Sequence, residues 1–175
     1  TSGEETAQSI AELKKHMAGR MHIGAGTVMT VGQADRAITA GAEFLISPNV
    51  NPEVIRHTVS AGCVSIPGAM TPTEAATAYE NGADFVKLFP ADTLGISYIK
   101  ALMAPLSHIP FLAVGGVNDR NLGDFLTAGL VGVGVGSALT PIEWIANESY
   151  QQITEHANRY CNVVQNHRNY FGKRA

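Results

Sequence analysis

The stretch DFVKLFPAD at residues 84–92 places one lysine, Lys87, inside a short apolar run. The residues on both sides of Lys87 are typical of a strand that is buried on both faces. Pro90 ends this strand, because proline donates no ladder hydrogen bond and restricts the residue before it. We therefore expect Lys87 close to the C-terminal end of a buried strand.

Two interpretations of Lys87 follow from this position. Burial removes water from an ammonium group, which lowers its pKa and leaves a free amine at neutral pH. A free amine can attack a ketone and form a Schiff base. In the other interpretation, the lysine stem packs in the core while its charged head reaches water. The segment alone leaves both open.

Composition indicates one globular domain over residues 1–175, with 45% apolar and 15% charged residues. The net charge of −3 argues against nucleic acid or an anionic membrane surface as a partner. No apolar run approaches the ~20 residues that a bilayer span requires. Cys63 and Cys161 form no ligand pattern, which is typical of a reduced, cytoplasmic protein.

The six histidines show no spacing typical of metal ligands. The sequence therefore predicts no metal site, and no motif in it indicates a cofactor.

The chain alternates between strand-like and helix-like segments. Strands are predicted at residues 21–27, 43–47, 63–66, 85–89, 110–114 and 131–135. Helices are predicted at residues 1–18, 31–40, 52–61, 73–81, 96–106, 119–128 and 141–170, the last one broken near Ser149. Glycine follows most of the helices, as expected where a helix ends. Such alternation predicts a parallel sheet with helices packed outside it.

Two closures of this α/β pattern compete, an open doubly wound sheet and a (β/α)8 TIM barrel. Polar or glycine-rich residues follow nearly every strand, which favours the barrel. A barrel of this kind has eight strands, whereas six are recognisable. We therefore expect that the first β-α-β portion is missing from the printed sequence.

Two glycine-rich turns follow the last two predicted strands, at Gly115-Gly116 and Gly136-Ser137. In barrels, the loops after the last two strands often hold a phosphate with backbone N–H groups. Ordinary tight turns are the alternative. Thr27 ends the first predicted strand, where its hydroxyl could bind a substrate carboxylate or cap the next helix.

Taken together, the motifs resemble one family, the Schiff-base aldolases that act on 2-keto-3-deoxy-6-phosphogluconate and 4-hydroxy-2-oxoglutarate. The matching stretches are GAGTV at 24–28, ISP at 46–48, IPG at 66–68, FVKLFPA at 85–91, GGV at 115–117 and GS at 136–137. They occur in family order over nearly the whole chain.

The resemblance implies a (β/α)8 barrel, a homotrimer and catalysis without a metal or cofactor. It implies that Lys87 is the Schiff-base lysine and that Phe89 lies beside it. It further implies that Thr27 and Pro48 line the pyruvate pocket. The distal phosphate would be held by Gly115, Gly116, Gly136 and Ser137.

Two features depart from the family pattern. The family carries a catalytic glutamate in a Glu-Val-Thr-like motif on its second strand, and the printed sequence begins just after the equivalent position. At the seventh strand, gluconate-type members have Pro-Thr-Gly-Gly, whereas residues 113–116 read AVGG. This second feature resembles the galactonate-type relatives.

These expectations describe an aldehyde-lyase whose partners are a phosphorylated keto acid and pyruvate. The predicted reaction cleaves a 2-keto-3-deoxy-6-phospho sugar acid, of gluconate or galactonate type, to pyruvate and glyceraldehyde 3-phosphate. 4-Hydroxy-2-oxoglutarate is a possible further substrate. Two alternatives stay open, another phosphate-binding barrel enzyme, such as an isomerase or a thiamin-phosphate synthase, and a non-catalytic ligand-binding relative.

Overall fold

A computed structural model of the protein describes residues 4–171, with side chains described for residues 4–167. The strands are β1 (Gly24–Gly26), β2 (Phe44–Ile46), β3 (Val64–Ile66), β4 (Gly68–Ala69), β5 (Val86–Leu88), β6 (Phe111–Val114) and β7 (Gly132–Gly134). The helices are α1 (Glu4–Met17), α2 (Val31–Thr39), α3 (Pro52–Ser60), α4 (Pro72–Glu80), α5 (Ala91–Met103), α6 (Leu122–Thr127), α7 (Ile142–Ala146) and α8 (Tyr150–Phe171), with a 3-10 turn at Ala104–Leu106.

All six predicted strands are confirmed, although each is shorter than its apolar run. The two-residue strand β4 was not predicted, because two residues carry no periodic pattern. The predicted break in the C-terminal helix is confirmed between α7 and α8.

Helices α5 and α6 begin three or more residues away from their predicted starts. Helix α5 begins at Ala91, and Gly95 interrupts it with φ 73° and ψ 155°, a conformation that glycine adopts readily. The predicted start at residue 96 is therefore the start of its second, longer part. Helix α6 begins at Leu122 and not at residue 119, because the side chains of Asn118 and Asn121 hold the preceding residues in a loop.

The chain divides into two compact units, described here separately. The first comprises Thr1–Lys87 and Leu106–Pro110, and the second comprises Leu88–Pro105 and Phe111–Ala175. The division falls within β5. Both units consist of parallel strands that alternate with helices, so the α/β class is confirmed.

In the first unit, β1, β2 and β3 form a parallel sheet in chain order. The strands are in register, with Gly26 opposite Ile46 and Ile46 opposite Ile66. Three strands in chain order occur in a barrel and also in one half of a doubly wound sheet, so this sheet is compatible with both closures.

The core of the first unit lies between this sheet and helices α1 and α2. Small side chains on α2, Ala34 and Ala37, allow close packing against Ala25 and Leu45 of the strands. Thr30, Asn51 and Thr71 cap α2, α3 and α4 with their side-chain oxygens, and such caps contribute about 1 kcal/mol each. Well-defined helix starts fix where each preceding loop must end.

In the second unit, β6 and β7 pair in parallel, with Leu112 opposite Gly132 and Val114 opposite Gly134. Phe111, Leu122 and Phe125 are buried in its core. A Cβ on Gly134 would lie 2.9 Å from the Val114 side chain, so glycine permits this close pairing. Within residues 4–171, no helix combines the length and the apolar character that a bilayer crossing requires.

Candidate active site

In the first unit, the residues that follow the strands leave the sheet at one edge. The N–H of Val28 donates to Ile46 O at 3.0 Å, and the N–H of Ser47 donates to Ile66 O at 3.2 Å. The N–H of Lys87 donates to Pro67 O at 2.9 Å, which places Lys87 beside the segment after β3. This carboxyl edge therefore carries Thr27, Pro48 and Lys87, in that order of strands.

Lys87 is buried, with 8% of its surface exposed, and its neighbours Val86 and Leu88 are fully buried. The loss of water around the amine lowers the pKa of Lys87 below its usual 10.5. The structure therefore favours the interpretation of Lys87 as an amine available for nucleophilic attack.

Thr27 has φ 61°, in the left-handed region that β-branched residues rarely occupy. Backbone strain of this kind costs about 1–3 kcal/mol and is often found at functional sites. The alternative role for Thr27, capping α2, is wrong, because Thr30 caps that helix. No pattern in the sequence indicates the strain at Thr27, since threonine is not a residue that usually adopts this conformation.

Pro48 is fixed by a close approach of Gly68 from the next strand segment. A Cβ on Gly68 would lie 2.6 Å from the carbonyl carbon of Pro48 and 2.8 Å from Ser47 O. The hydroxyl of Ser47 donates to Asn49 O at 2.7 Å, which fixes the same turn from the other side. The turn after β2 is thus rigid, and glycine at position 68 is required by space.

In the second unit, Gly115 and Gly116 follow β6 with φ 93° and 72°. A Cβ on Gly115 would lie 3.1 Å from ring atoms of Phe89, and one on Gly116 would overlap the side chain of Asp92. Phe89 therefore packs on the backbone of Gly115. Conformation and space both require glycine at these two positions.

The carbonyl groups of this glycine turn are held by hydrogen bonds. Gly115 O accepts the N–H of Asp92 at 3.1 Å. Gly116 O accepts the side-chain amides of Asn118 at 3.2 Å and Asn121 at 2.9 Å. In a trans peptide the carbonyl and the following N–H point to opposite sides. The N–H groups of Gly116 and Val117 consequently have fixed directions, opposite to the held carbonyls.

Gly136 and Ser137 follow β7 in a second tight turn. The N–H of Leu139 donates to Gly136 O at 2.8 Å, and both Gly136 and Ser137 are exposed. Because Val114 pairs with Gly134, the two glycine turns leave neighbouring strands, about 4.8 Å apart, at the same edge. Paired turns of this kind present backbone N–H groups that can bind an anion.

The predicted site residues thus form two groups, one at the carboxyl edge of each unit. Thr27, Pro48 and Lys87 belong to the first unit, and Phe89, Gly115, Gly116, Gly136 and Ser137 belong to the second. Asn118 and Asn121 were not predicted from the sequence, because asparagine is common in loops and does not by itself indicate a site. Among residues 4–171, no three His, Cys, Asp or Glu side chains are grouped as metal ligands.

Parallel β/α units with a desolvated lysine at the carboxyl edge of a strand are the arrangement of the Schiff-base aldolases. A family model described as KDPG and KHG aldolase matches residues 1–156. The chain therefore belongs to the KDPG and KHG aldolase family.

Individual relatives agree with this membership. The chain is 40% identical over 159 residues to the 2-dehydro-3-deoxy-6-phosphogalactonate aldolase of Escherichia coli K12, covering 90% of this chain and 78% of the relative. A Legionella pneumophila KDPG aldolase, solved with pyruvate captured as a covalent carbinolamine intermediate, superposes with a TM-score of 0.80. That structure is 31% identical, and the alignment covers 87% of this chain and 74% of the other.

A second similar structure is a cube-shaped protein cage designed by fusing symmetric oligomeric domains. It superposes with a TM-score of 0.89 at 36% identity, covering 98% of this chain and 63% of that chain. KDPG aldolases have a TIM-barrel-like fold, and the likeness over these lengths places the present chain in the same fold class.

Proposed function

We propose that the protein is a class I aldolase that cleaves a 2-keto-3-deoxy-6-phospho sugar acid to pyruvate and glyceraldehyde 3-phosphate. Family membership supports the reaction class, an aldehyde-lyase. The observation that carries the proposal is the burial of Lys87, with its lowered pKa, at the carboxyl edge of parallel strands. Without an available amine at this edge, the fold alone would not indicate Schiff-base chemistry.

The reaction begins when the neutral amine of Lys87 attacks the C2 ketone and forms a carbinolamine. Loss of water gives a protonated imine, which accepts the electron pair of the C3–C4 bond as that bond breaks. The C4 hydroxyl loses its proton and becomes the aldehyde of glyceraldehyde 3-phosphate. Protonation of the remaining enamine at C3 produces the pyruvate imine, and water then releases pyruvate and restores the amine.

Thr27 and Pro48 are proposed to bind the pyruvate end of the substrate. The exposed Thr27 occupies a strained conformation, which supports a role for its hydroxyl in binding the carboxylate. The turn that holds Pro48 is rigid, which supports a role as a wall of the pocket. We propose Phe89 as an apolar neighbour of the reacting carbon atoms.

The phosphate end of the substrate is proposed to bind the two glycine turns of the second unit. Gly115 and Gly116 have the conformation and the held carbonyls that direct N–H groups to one side. Gly136 and Ser137 are exposed at the neighbouring strand end, so N–H groups and the Ser137 hydroxyl are available to an anion.

We propose further that the protein is a cytoplasmic homotrimer. The family resemblance implies three subunits, and the similar designed cage is built from symmetric oligomeric domains. Size-exclusion chromatography with light scattering tests this part, and a mass other than three protomers would contradict it.

The function is tested by aldol cleavage assays on both epimers, the 6-phosphogluconate and 6-phosphogalactonate derivatives. We expect pyruvate and glyceraldehyde 3-phosphate in equal amounts from at least one of them, with the galactonate epimer preferred because residues 113–116 read AVGG. Pyruvate binding without cleavage of either epimer would instead favour a non-catalytic relative. Neither binding nor cleavage would favour another phosphate-binding barrel enzyme.

A further inference from the structure

The carbonyl of Gly116 receives two side-chain donors, an unusual concentration of hydrogen bonds on one exposed glycine. Asn118 Nδ2 donates to it at 3.2 Å and Asn121 Nδ2 at 2.9 Å. We propose that Asn118 and Asn121 are positioning residues that aim the Val117 N–H at the substrate phosphate. This inference rests on the proposed function, because it takes the glycine turn to be the phosphate site.

The two asparagines also hold each other, so neither donor is free to rotate. The N–H of Asn118 donates to Asn121 Oδ1 at 2.8 Å. Asn118 Oδ1 in turn accepts the N–H groups of Arg120 at 3.0 Å and Asn121 at 3.3 Å. Each side chain therefore uses its oxygen to fix itself and its nitrogen to fix the carbonyl of Gly116.

This fixation matters because the glycine turn has little rigidity of its own. Gly116 has φ 72°. Glycine, which has no side chain, has access to more backbone conformations than any other residue type. Two donors on its carbonyl restrict the peptide plane, and peptide planarity transmits that restriction to the Val117 N–H. A donor that is already oriented loses less entropy when the phosphate binds.

The donors also change the polarity of the peptide. Hydrogen bonds to a carbonyl polarise the whole peptide group, so the Val117 N–H becomes a stronger donor. Both asparagine side chains are neutral, so they produce this effect without adding a charge that would attract other anions. The arrangement therefore favours selective binding of the phosphate by backbone groups.

The test compares Asn118→Ala, Asn121→Ala and the double variant in the assembled enzyme. Each single variant keeps one donor on the Gly116 carbonyl, so we expect KM for the phosphorylated substrate to rise only about 2- to 5-fold. The double variant removes both side-chain hydrogen bonds to the Gly116 carbonyl. Its KM is expected to rise by more than the product of the two single effects. kcat is expected to stay within about twofold, because neither residue touches the reacting atoms.

A phosphate-free readout separates positioning from general damage to the fold. The pyruvate concentration that half-saturates borohydride inactivation is expected to be unchanged in all three variants. Asn158→Ala, an exposed asparagine on α8, serves as the matched control and should change nothing. If an alanine variant does not fold, Asn121→Asp keeps the acceptor for Asn118 but donates nothing to Gly116, and should raise the same KM.

The outcomes are distinguishable. Equal losses of kcat, pyruvate affinity and substrate affinity in the variants would overturn the inference. If the wild-type enzyme prefers phosphorylated substrates and the variants have the same KM as the wild type, the inference is also overturned. If the wild-type enzyme shows no preference for a phosphorylated over a non-phosphorylated substrate, the proposed phosphate site fails first and the inference fails with it.

Discussion

The two carboxyl edges of the molecule are built from the same β/α pattern but present different chemical groups. The edge of the first unit presents side chains, with the buried amine of Lys87 and the strained Thr27. The edge of the second unit presents peptide groups, at Gly115-Gly116 and Gly136-Ser137.

The same repeating β/α pattern thus supports two different chemical tasks. Covalent chemistry needs one atom with an altered pKa, and burial of a single side chain provides it. Anion binding needs several donors in fixed directions, and a glycine turn provides them from the backbone. Substitution of Lys87 should therefore reduce kcat, whereas substitutions at the second edge should mainly raise KM for phosphorylated substrates.

The largest expected effect is at Lys87. Lys87→Met removes the nucleophile, so we expect cleavage to fall by on the order of 10³-fold or more. Because it also removes a desolvated amine from the core, the variant should unfold at the same temperature as the wild type or a higher one. Steady-state kinetics and calorimetry measure the two effects.

Lys100→Met is the matched control for that variant, since Lys100 is exposed on α5. It should keep full activity. A Lys87→Met protein that retains activity would remove the distinction between the two edges.

The next largest effect is expected at Gly116. Gly116→Ala must adopt φ 72° with a Cβ that overlaps Asp92, so the turn has to move. We expect KM for the phosphorylated substrate to rise by about 10-fold, the size of one charged hydrogen bond, with a smaller change in kcat. Initial-rate kinetics at saturating and limiting substrate separate these parameters.

Gly95→Ala controls for backbone strain alone. Gly95 has φ 73°, but nothing lies within 4 Å of the position of its added Cβ. It should lose about 1–3 kcal/mol of stability, because φ 73° with ψ 155° is a conformation that glycine alone adopts readily, and KM should not change. Equal KM values for the two variants would argue against a phosphate turn at Gly116.

A smaller effect, with opposite signs for stability and activity, is expected at Thr27. Thr27→Gly relieves a strain of about 1–3 kcal/mol but adds about 0.5–1 kcal/mol of unfolded-state entropy. The net result should be a slightly higher free energy of unfolding, together with weaker pyruvate binding. Denaturant titration and pyruvate-dependent inactivation measure these two quantities.

Thr27→Ser keeps the hydroxyl and should keep pyruvate affinity. If Thr27→Gly lost stability instead, the backbone of Thr27 would not be strained in the folded protein.

The smallest effect is the dependence of stability on pH. The pKa of Lys87 is lowered by burial from its usual 10.5, so between the lowered value and 10.5 the unfolded chain binds more protons than the folded one. Stability contributed by this residue should therefore rise as pH increases through that window. The rise should disappear in Lys87→Met, which thermal unfolding at a series of alkaline pH values would reveal.

Much of the fold could be predicted from the sequence, because local signals agree with the final structure. Glycines after the helices and prolines after the strands divide the chain into the elements observed. The later start of α6 could not be predicted from helical periodicity, because the pairing of Asn118 and Asn121 competes with it. The interruption of α5 depends on the conformation of Gly95. A glycine in the sequence permits many conformations and does not specify which one is adopted.

The candidate site was predictable to a similar degree. The burial of Lys87 was expected, since an apolar strand surrounds it. The conformation of Thr27 was not, because it depends on contacts made by the whole turn. The hydrogen bonds to Gly116 O could not be predicted either, because the spacing of Gly116, Asn118 and Asn121 in the sequence does not specify the geometry of the loop.

Borohydride reduction of the protein in the presence of pyruvate, followed by peptide mass spectrometry, tests most directly whether Lys87 forms the Schiff base. We expect one reduced pyruvate adduct per chain, on Lys87, and none in Lys87→Met. An adduct on another lysine, or no adduct in a protein that cleaves its substrate, would contradict it.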